Sequence, residues 1–243
     1  METLEIFVTA AVATVEALRN IGYGSYLFGS TAFAVYGMDH RIPRNVDIAV
    51  LADDNVSVED VKKQIVLYSD RFVLQSFVVE GQLCQVLYFG DDGGVGTCQL
   101  RKTCVVNILL AGSGSLYLPK IPNNCLVWYG YLPIAPLKTL VLLKLNAWYS
   151  HQADGREMMQ TRLPQDVGDI MQSLRFVKSR YATCREPGNI HGWCSKALNE
   201  LSITTISAFV RANPRSFADW WFLDFEVGVG VVRKAPYARV WVR

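Results

Sequence analysis

The chain has 243 residues, 51% hydrophobic and 19% charged, which supplies apolar material for a sizeable core and excludes disorder as the dominant state. Its 24 Lys and Arg against 22 Asp and Glu leave a formal net charge of +2, so bulk charge is not a means of holding nucleic acid, while a local basic patch is still allowed. The acidic start, Met1-Glu2-Thr3, lacks the basic flank of a secretory signal, and the longest apolar stretch, Pro136 to Ala147, is broken by Lys138, Lys144 and Asn146. The expectation is a cytoplasmic chain with no membrane partner.

In chain order, apolar residues recur at helical spacing from Leu4 to Leu18, and Asn20-Ile21-Gly22 closes that helix. Ser25 to Phe28 reads as a short strand stopped by Gly29-Ser30, and Thr31 to Tyr36 as a small helix ended by Gly37. Val46 to Leu51 is β-branched, apolar and bounded by turn residues, hence a buried strand. Ser57 to Tyr68 reads as a helix with Ser57 as its N-cap and Glu59-Asp60 in its first turn. Phe72–Val79 and Leu83–Phe89 form a predicted hairpin, and Thr103–Leu110 a further strand. Beyond Pro136 helical spacing dominates, in Leu137–Tyr149, Pro164–Val177 and Lys196–Val210. The prediction is a mixed α/β (α+β) front over residues 1–133 and a helical region over 134–243.

Six cysteines stand at 84, 98, 104, 125, 184 and 194 without a CxxC pair, which favours free thiols over a disulfide framework. Cys184, His191 and Cys194 match no common zinc spacing. Trp220, Trp221 and Trp241 have faces that suit stacked bases, but core packing or an oligomer contact is the better account. His40, next to Arg41, reads as a solvated loop residue.

One constellation points to chemistry. A strand that ends in Gly29-Ser30 and runs straight into a helix at Thr31 presents backbone N–H groups and a hydroxyl to an anion such as phosphate. The next strand carries Asp47 toward that turn, and Arg41 and Arg44 just before it suit a triphosphate or a polynucleotide backbone. Lys144 falls on the stripe Leu137, Leu140, Val141, Lys144, Trp148, either snorkelling at its edge or pointing into a cleft. Asp166, just after Pro164, is placed to complement a helix dipole; Asp169 lies further round from the stripe Val167, Ile170, Met171, Leu174 and ranks below it.

These residues resemble the nucleotidyltransferase superfamily, whose signature is a Gly-Ser turn followed by Asp-x-Asp on the next strand, and in particular the AbiEii-type toxins, in which an Arg-rich segment leads into that strand. Leu143 to Trp148 is similar to the family's lysine-bearing helix, and Arg162 to Ile170 to its downstream aspartate segment. The resemblance implies a nucleotidyltransferase-like mixed sheet flanked by helices, and transfer of a nucleoside monophosphate from a nucleoside triphosphate to an acceptor hydroxyl on nucleic acid, protein or a small molecule. It implies Mg²⁺ or Mn²⁺ on Asp47, phosphates on Gly29, Ser30, Thr31, Arg41, Arg44 and Lys144, and catalytic roles for Asp47, Lys144 and Asp166.

The pattern has a departure. Residues two apart on a strand share a face, and the second carboxylate of Asp-x-Asp is here Ala49. A third acidic position of many members corresponds to Asn107, which offers an amide oxygen but no general base. Asp53 and Asp54 lie past the strand, with no spacing that returns them to the site. A catalytically impaired protein that keeps the fold as a nucleotide-binding or protein-interaction module is therefore the alternative to an active transferase.

Overall fold

Helix α1 (Glu2–Asn20) buries Ile6, Phe7, Ala10, Ala11, Val15, Ala17 and Leu18, a stripe at spacings of three and four. It ends in a Schellman closure: Gly22, at φ +91°, donates its N–H to Arg19 O, and Tyr23 donates to Leu18 O. The chain reverses into β1 (Gly24–Phe28), passes through the short α2 (Gly29–Val35), and returns as β2 (Asn45–Leu51). Helix α3 (Val58–Tyr68) starts where Ser57 Oγ accepts the N–H of Asp60, the cap expected of that residue. The hairpin β3 (Phe72–Val79) and β4 (Gln82–Gly90) follows, then β5 (Thr103–Leu110), β6 (Val127–Tyr129) and β7 (Leu132–Ile134).

These seven strands make one mixed sheet in the order β3-β4-β5-β2-β1-β7-β6. Strand β2 lies at its centre, antiparallel to β1 and parallel to β5, with Phe28 opposite Asp47 and Asp47 beside Asn107. Val46, Ile48 and Val50 are fully buried on one face of β2, in line with the contacts that α1 and α3 make on β2 and β5. The alternate face carries Asn45, Asp47, Ala49 and Leu51.

Pro136 precedes α4 (Leu137–Ala153), followed by the single turn α5 (Glu157–Gln160), α6 (Leu163–Tyr181), α7 (Lys196–Ala212), a 3₁₀ segment (Pro214–Leu223) and the hairpin β8 (Phe225–Gly228)–β9 (Val231–Lys234). Helix α4 is buried on nearly every side and packs against both α6 and α7. Trp148 meets Phe209 edge to face at 4.9 Å between centroids, and Phe209 meets Trp220 at 5.8 Å. Trp220 is fully buried and donates to Ser216 Oγ, so it is a core residue and offers no face to a base.

The computed structural model describes residues 2–38, 40–53, 55–79, 81–90, 103–112, 117–181, 196–223, 225–228 and 231–234; Asp54, Cys98, Cys184, His191, Cys194 and Trp241 lie outside them. The chain divides into two compact units, Met1–Gly114 with Lys120–Ala135, and Ser115–Pro119 with Pro136–Arg243. Among the described residues Cys84, Cys104 and Cys125 are free thiols, and no helix is long and apolar enough to cross a membrane. The mixed α/β class predicted from the sequence is the one observed. The short strands β6 and β7, at one end of the sheet, have no counterpart in the predicted elements, because three residues such as Leu132-Pro133-Ile134 give no periodicity to read.

Candidate active site

The site in the first unit is built on the pairing of β1 with β2. Their ladder runs from Gly24 opposite Leu51 to Phe28 opposite Asp47, and there β1 stops. Gly29 takes φ +71°, a left-handed conformation that glycine adopts without penalty, and so turns the chain into α2. A Cβ at Gly29 would collide with Oδ2 of Asp47 and lie 3.0 Å from its Cγ. Glycine is required here twice over, for its backbone angle and for the carboxylate that occupies the side-chain space. The Gly-Ser turn and Asp47 are thus in direct contact.

Phe28, at the N-cap position, gives no side-chain acceptor to the first turn of α2. Ser30 Oγ accepts a hydrogen bond from Arg41 Nη2 at 2.6 Å, which draws Arg41 to the turn; Arg44 is exposed. Thr31 is fully buried and donates its hydroxyl to the backbone carbonyl of Asn45 at 2.7 Å, tying α2 to the start of β2. His40 and Asp53 are exposed.

Two carboxamides converge on Asp47. Nδ2 of Asn45 donates to Oδ1 at 2.5 Å, and Nδ2 of Asn107 donates to the same oxygen at 2.9 Å. Asn107 is there because the parallel register sets it beside Asp47, and Asn45 because it lies two residues earlier on the same face. The surroundings of Ala49 are different. Ala49 and its cross-strand neighbour Tyr26 are both 0% exposed, and burial pushes the Tyr26 hydroxyl well above the usual phenol range. The face of β2 is polar at 45 and 47 and dry at 49.

In the second unit Lys144 Nζ pairs with Asp169 Oδ2 at 2.7 Å, the two side chains being 13% and 3% exposed. Asp166 Oδ2 lies 2.8 Å from His151 Nδ1. Lys144 therefore meets the aspartate that helical periodicity ranks second, since one apolar stripe does not record that α6 also faces α4. Two partners escape the sequence reading. Asn45 was legible as the residue two before Asp47, and His151 as the residue seven after Lys144 on the same side of α4. Among the described residues no three His, Cys, Asp or Glu side chains gather as metal ligands.

The fold has solved counterparts. An antigenic nucleotidyltransferase-like protein from Paracoccidioides brasiliensis superposes with a TM-score of 0.58 over 93% of this chain and 96% of its own, at 12% identity. A candidate nucleotidyltransferase from H. pylori gives 0.46 over 91% of this chain and 81% of its own, and JHP933 from Helicobacter pylori gives 0.45 over 90% and 78%, each at 12% identity. The first of these shows a nucleotidyltransferase-like fold. No family model matches the sequence, and no curated protein matches it.

Proposed function

We propose that the protein transfers a nucleoside monophosphate from a nucleoside triphosphate to an acceptor hydroxyl. The observation that carries this reading is the contact between the Gly29-Ser30 turn and the Asp47 carboxylate on a nucleotidyltransferase-like fold. Backbone N–H groups at Gly29, Ser30 and Thr31, together with Arg41 and Arg44, receive the phosphates. The carboxylate of Asp47 is a hard oxygen donor suited to Mg²⁺ or Mn²⁺, and the amide N–H groups of Asn45 and Asn107 donate to its Oδ1 and orient it. The ion, when bound, supplies charge neutralisation on the triphosphate.

In the transfer the acceptor oxygen bonds to the α-phosphorus while the bond from that phosphorus to the bridging oxygen breaks, releasing pyrophosphate. The resemblance gives Asp166 the role of base and Lys144 that of phosphate ligand; within the second unit Asp166 meets His151 and Lys144 meets Asp169. The branch that the Arg41–Asp47 segment resembles, the AbiEii-type toxins, makes a nucleic acid or protein acceptor as eligible as a small molecule.

A second reading has its own observation. Ala49 is buried where the pattern has a carboxylate, which supports a nucleotide-binding or protein-interaction module without turnover. One experiment separates the two. The protein is incubated with each α-labelled triphosphate, Mg²⁺ or Mn²⁺ and a cell extract, and the label and pyrophosphate are followed. Label in an acceptor with equal pyrophosphate release, abolished by Asp47→Asn, is expected of the transferase. Triphosphate binding with neither product is expected of the module.

A further inference from the structure

We propose that the protein associates with a second copy of itself through the outer edge of β3, in an antiparallel strand pair centred on Gln75. The association is independent of the transfer reading.

The two edges of the seven-stranded sheet are built differently. At one end β6 is three residues long and runs out at Gly130, which takes φ +59°, and so short an edge offers little to pair with. At the other end β3 runs for eight residues, Phe72 to Val79, in unbroken register with β4 and without a proline or a charged side chain. None of the usual guards against edge pairing is present there. Its outer N–H and C=O groups have no strand partner among the described residues. Apolar side chains are exposed as well: Phe77 is 43% and Val78 73% exposed, and Leu83, opposite Val78 on β4, 68%. Strand β4 pairs with β5 only over Leu87–Gly90, so the rest of the hairpin is a two-stranded arm, which is marginal in water by itself. The β4 side of that arm is guarded, since Lys62 of α3 donates to Gln85 O at 2.7 Å and to Glu59 Oε1 at 2.8 Å. The β3 side is open.

The chemistry of this edge selects its occupant. A row of outward backbone donors and acceptors calls for another extended strand. With no cation or anion on β3, the edge has nothing to draw a nucleic acid or a charged peptide, and two copies meet there without like charges. A second copy supplies the strand. A two-fold axis normal to the sheet pairs residues whose numbers sum to an even value, so side chains of one face stay on one face. Centred on Gln75, it sets Val73 against Phe77 and Phe72 against Val78, and apolar side chains meet on both faces. The exposed Gln75 carboxamide then faces its own counterpart, and each gives and receives a hydrogen bond. Centred on Ser76 instead, the axis would set Gln75 against Phe77. One such edge per chain, matched with itself, closes at a dimer and builds no fibre.

Sedimentation equilibrium of the full chain tests this. The wild type should pass from monomer to dimer with rising concentration, with a dissociation constant on the order of micromolar, since a strand pair is a small interface. Gln75→Lys and Gln75→Glu each set like charges against each other at the two-fold axis, and each alone should raise that constant by roughly 5-fold or more. An equimolar mixture of the two should regain the wild-type value. The position is exposed, so both variants should match the wild type in circular dichroism. Val78→Lys, also at an exposed position, should weaken the dimer too, and decides the matter if either Gln75 variant folds poorly. A wild type that stays monomeric at every concentration overturns the proposal, and one that then sediments with phosphatidylcholine vesicles gives the edge to a lipid surface instead. A dimer indifferent to these substitutions overturns it as well, as does a pair of Gln75 variants that mixing fails to restore.

Discussion

In the sheet-bearing unit Asp47 is gripped by two neutral carboxamides, whereas in the helical unit Asp169 is gripped by the ammonium of Lys144. Geometrically the two carboxylates are equally well held, with donors at 2.5 and 2.9 Å in one case and 2.7 Å in the other. Electrostatically they differ. Neutral amides orient a carboxylate and cancel none of its charge, while an ammonium in a buried pair cancels all of it. Asp47 is held against the Gly29-Ser30 turn, whereas the Lys144–Asp169 pair joins α4 to α6. Substitutions at the two sites should therefore separate stability from function.

The largest effect on stability is expected in the helical unit. Asp169→Ala leaves the ammonium of Lys144 buried without its partner and should cost about 3–5 kcal/mol in urea unfolding. Replacing both residues with apolar ones of similar volume, Lys144→Met with Asp169→Leu, should recover most of that loss. If the double variant is as unstable as the single one, the pair does more than neutralise itself.

Next comes Gly29→Ala. The new Cβ meets both a left-handed backbone and the Asp47 carboxylate, and the strain should lower stability by about 1–3 kcal/mol. The same change pushes Asp47 aside, so Mn²⁺ binding should fall with it. A variant that loses stability yet keeps its cation affinity would mean that the contact between turn and carboxylate does not set the site.

Asp47→Asn is the counterpart of Asp169→Ala. It keeps the shape and exchanges charge for an amide, and its stability should stay within about 1.5 kcal/mol of the wild type. Cation binding should drop by at least about 10–100-fold. Small change in one measurement and large change in the other is the signature that distinguishes a site carboxylate from a structural one.

How far these assignments can be read without coordinates follows the same division. Contacts between neighbours in one element or across a turn were legible: Ser57 as a cap, Gly22 as a helix stop, and β2 as a buried strand beside the Gly29-Ser30 turn. Contacts set by register or by the second face of a helix were not. The alignment of Asn107 with Asp47 depends on how β5 slides along β2, and the pairing of Lys144 with Asp169 on how α6 turns against α4. A hydrophobic stripe gives the face turned toward the main core and is silent about a polar residue buried on another side. The stripe alone therefore places Asp169 below Asp166. Asn45 is a different case. The spacing rule that marks Ala49 as a missing acid applies equally two residues upstream, where it sets Asn45 on the face of Asp47.

The dry and polar ends of the β2 face should also differ in their response to alkali, with the smallest effect of the series. Tyr26 lies opposite Ala49, and burial raises its hydroxyl above its ordinary value of 10.0. Cys104, on β5, is likewise held by burial, its thiol pushed up from 9.0 to about 12. In both groups the folded chain keeps a proton that the unfolded chain releases. Their contribution to stability is complete below pH 9, and declines as the pH rises from the unfolded values toward the folded ones. The melting temperature should therefore fall above pH 9, and Tyr26→Phe should flatten the part of the fall above pH 10. A tyrosine reached by solvent would titrate near its ordinary value in the folded chain too, and its replacement would leave the slope unchanged. That result would remove the dryness assigned to residue 49.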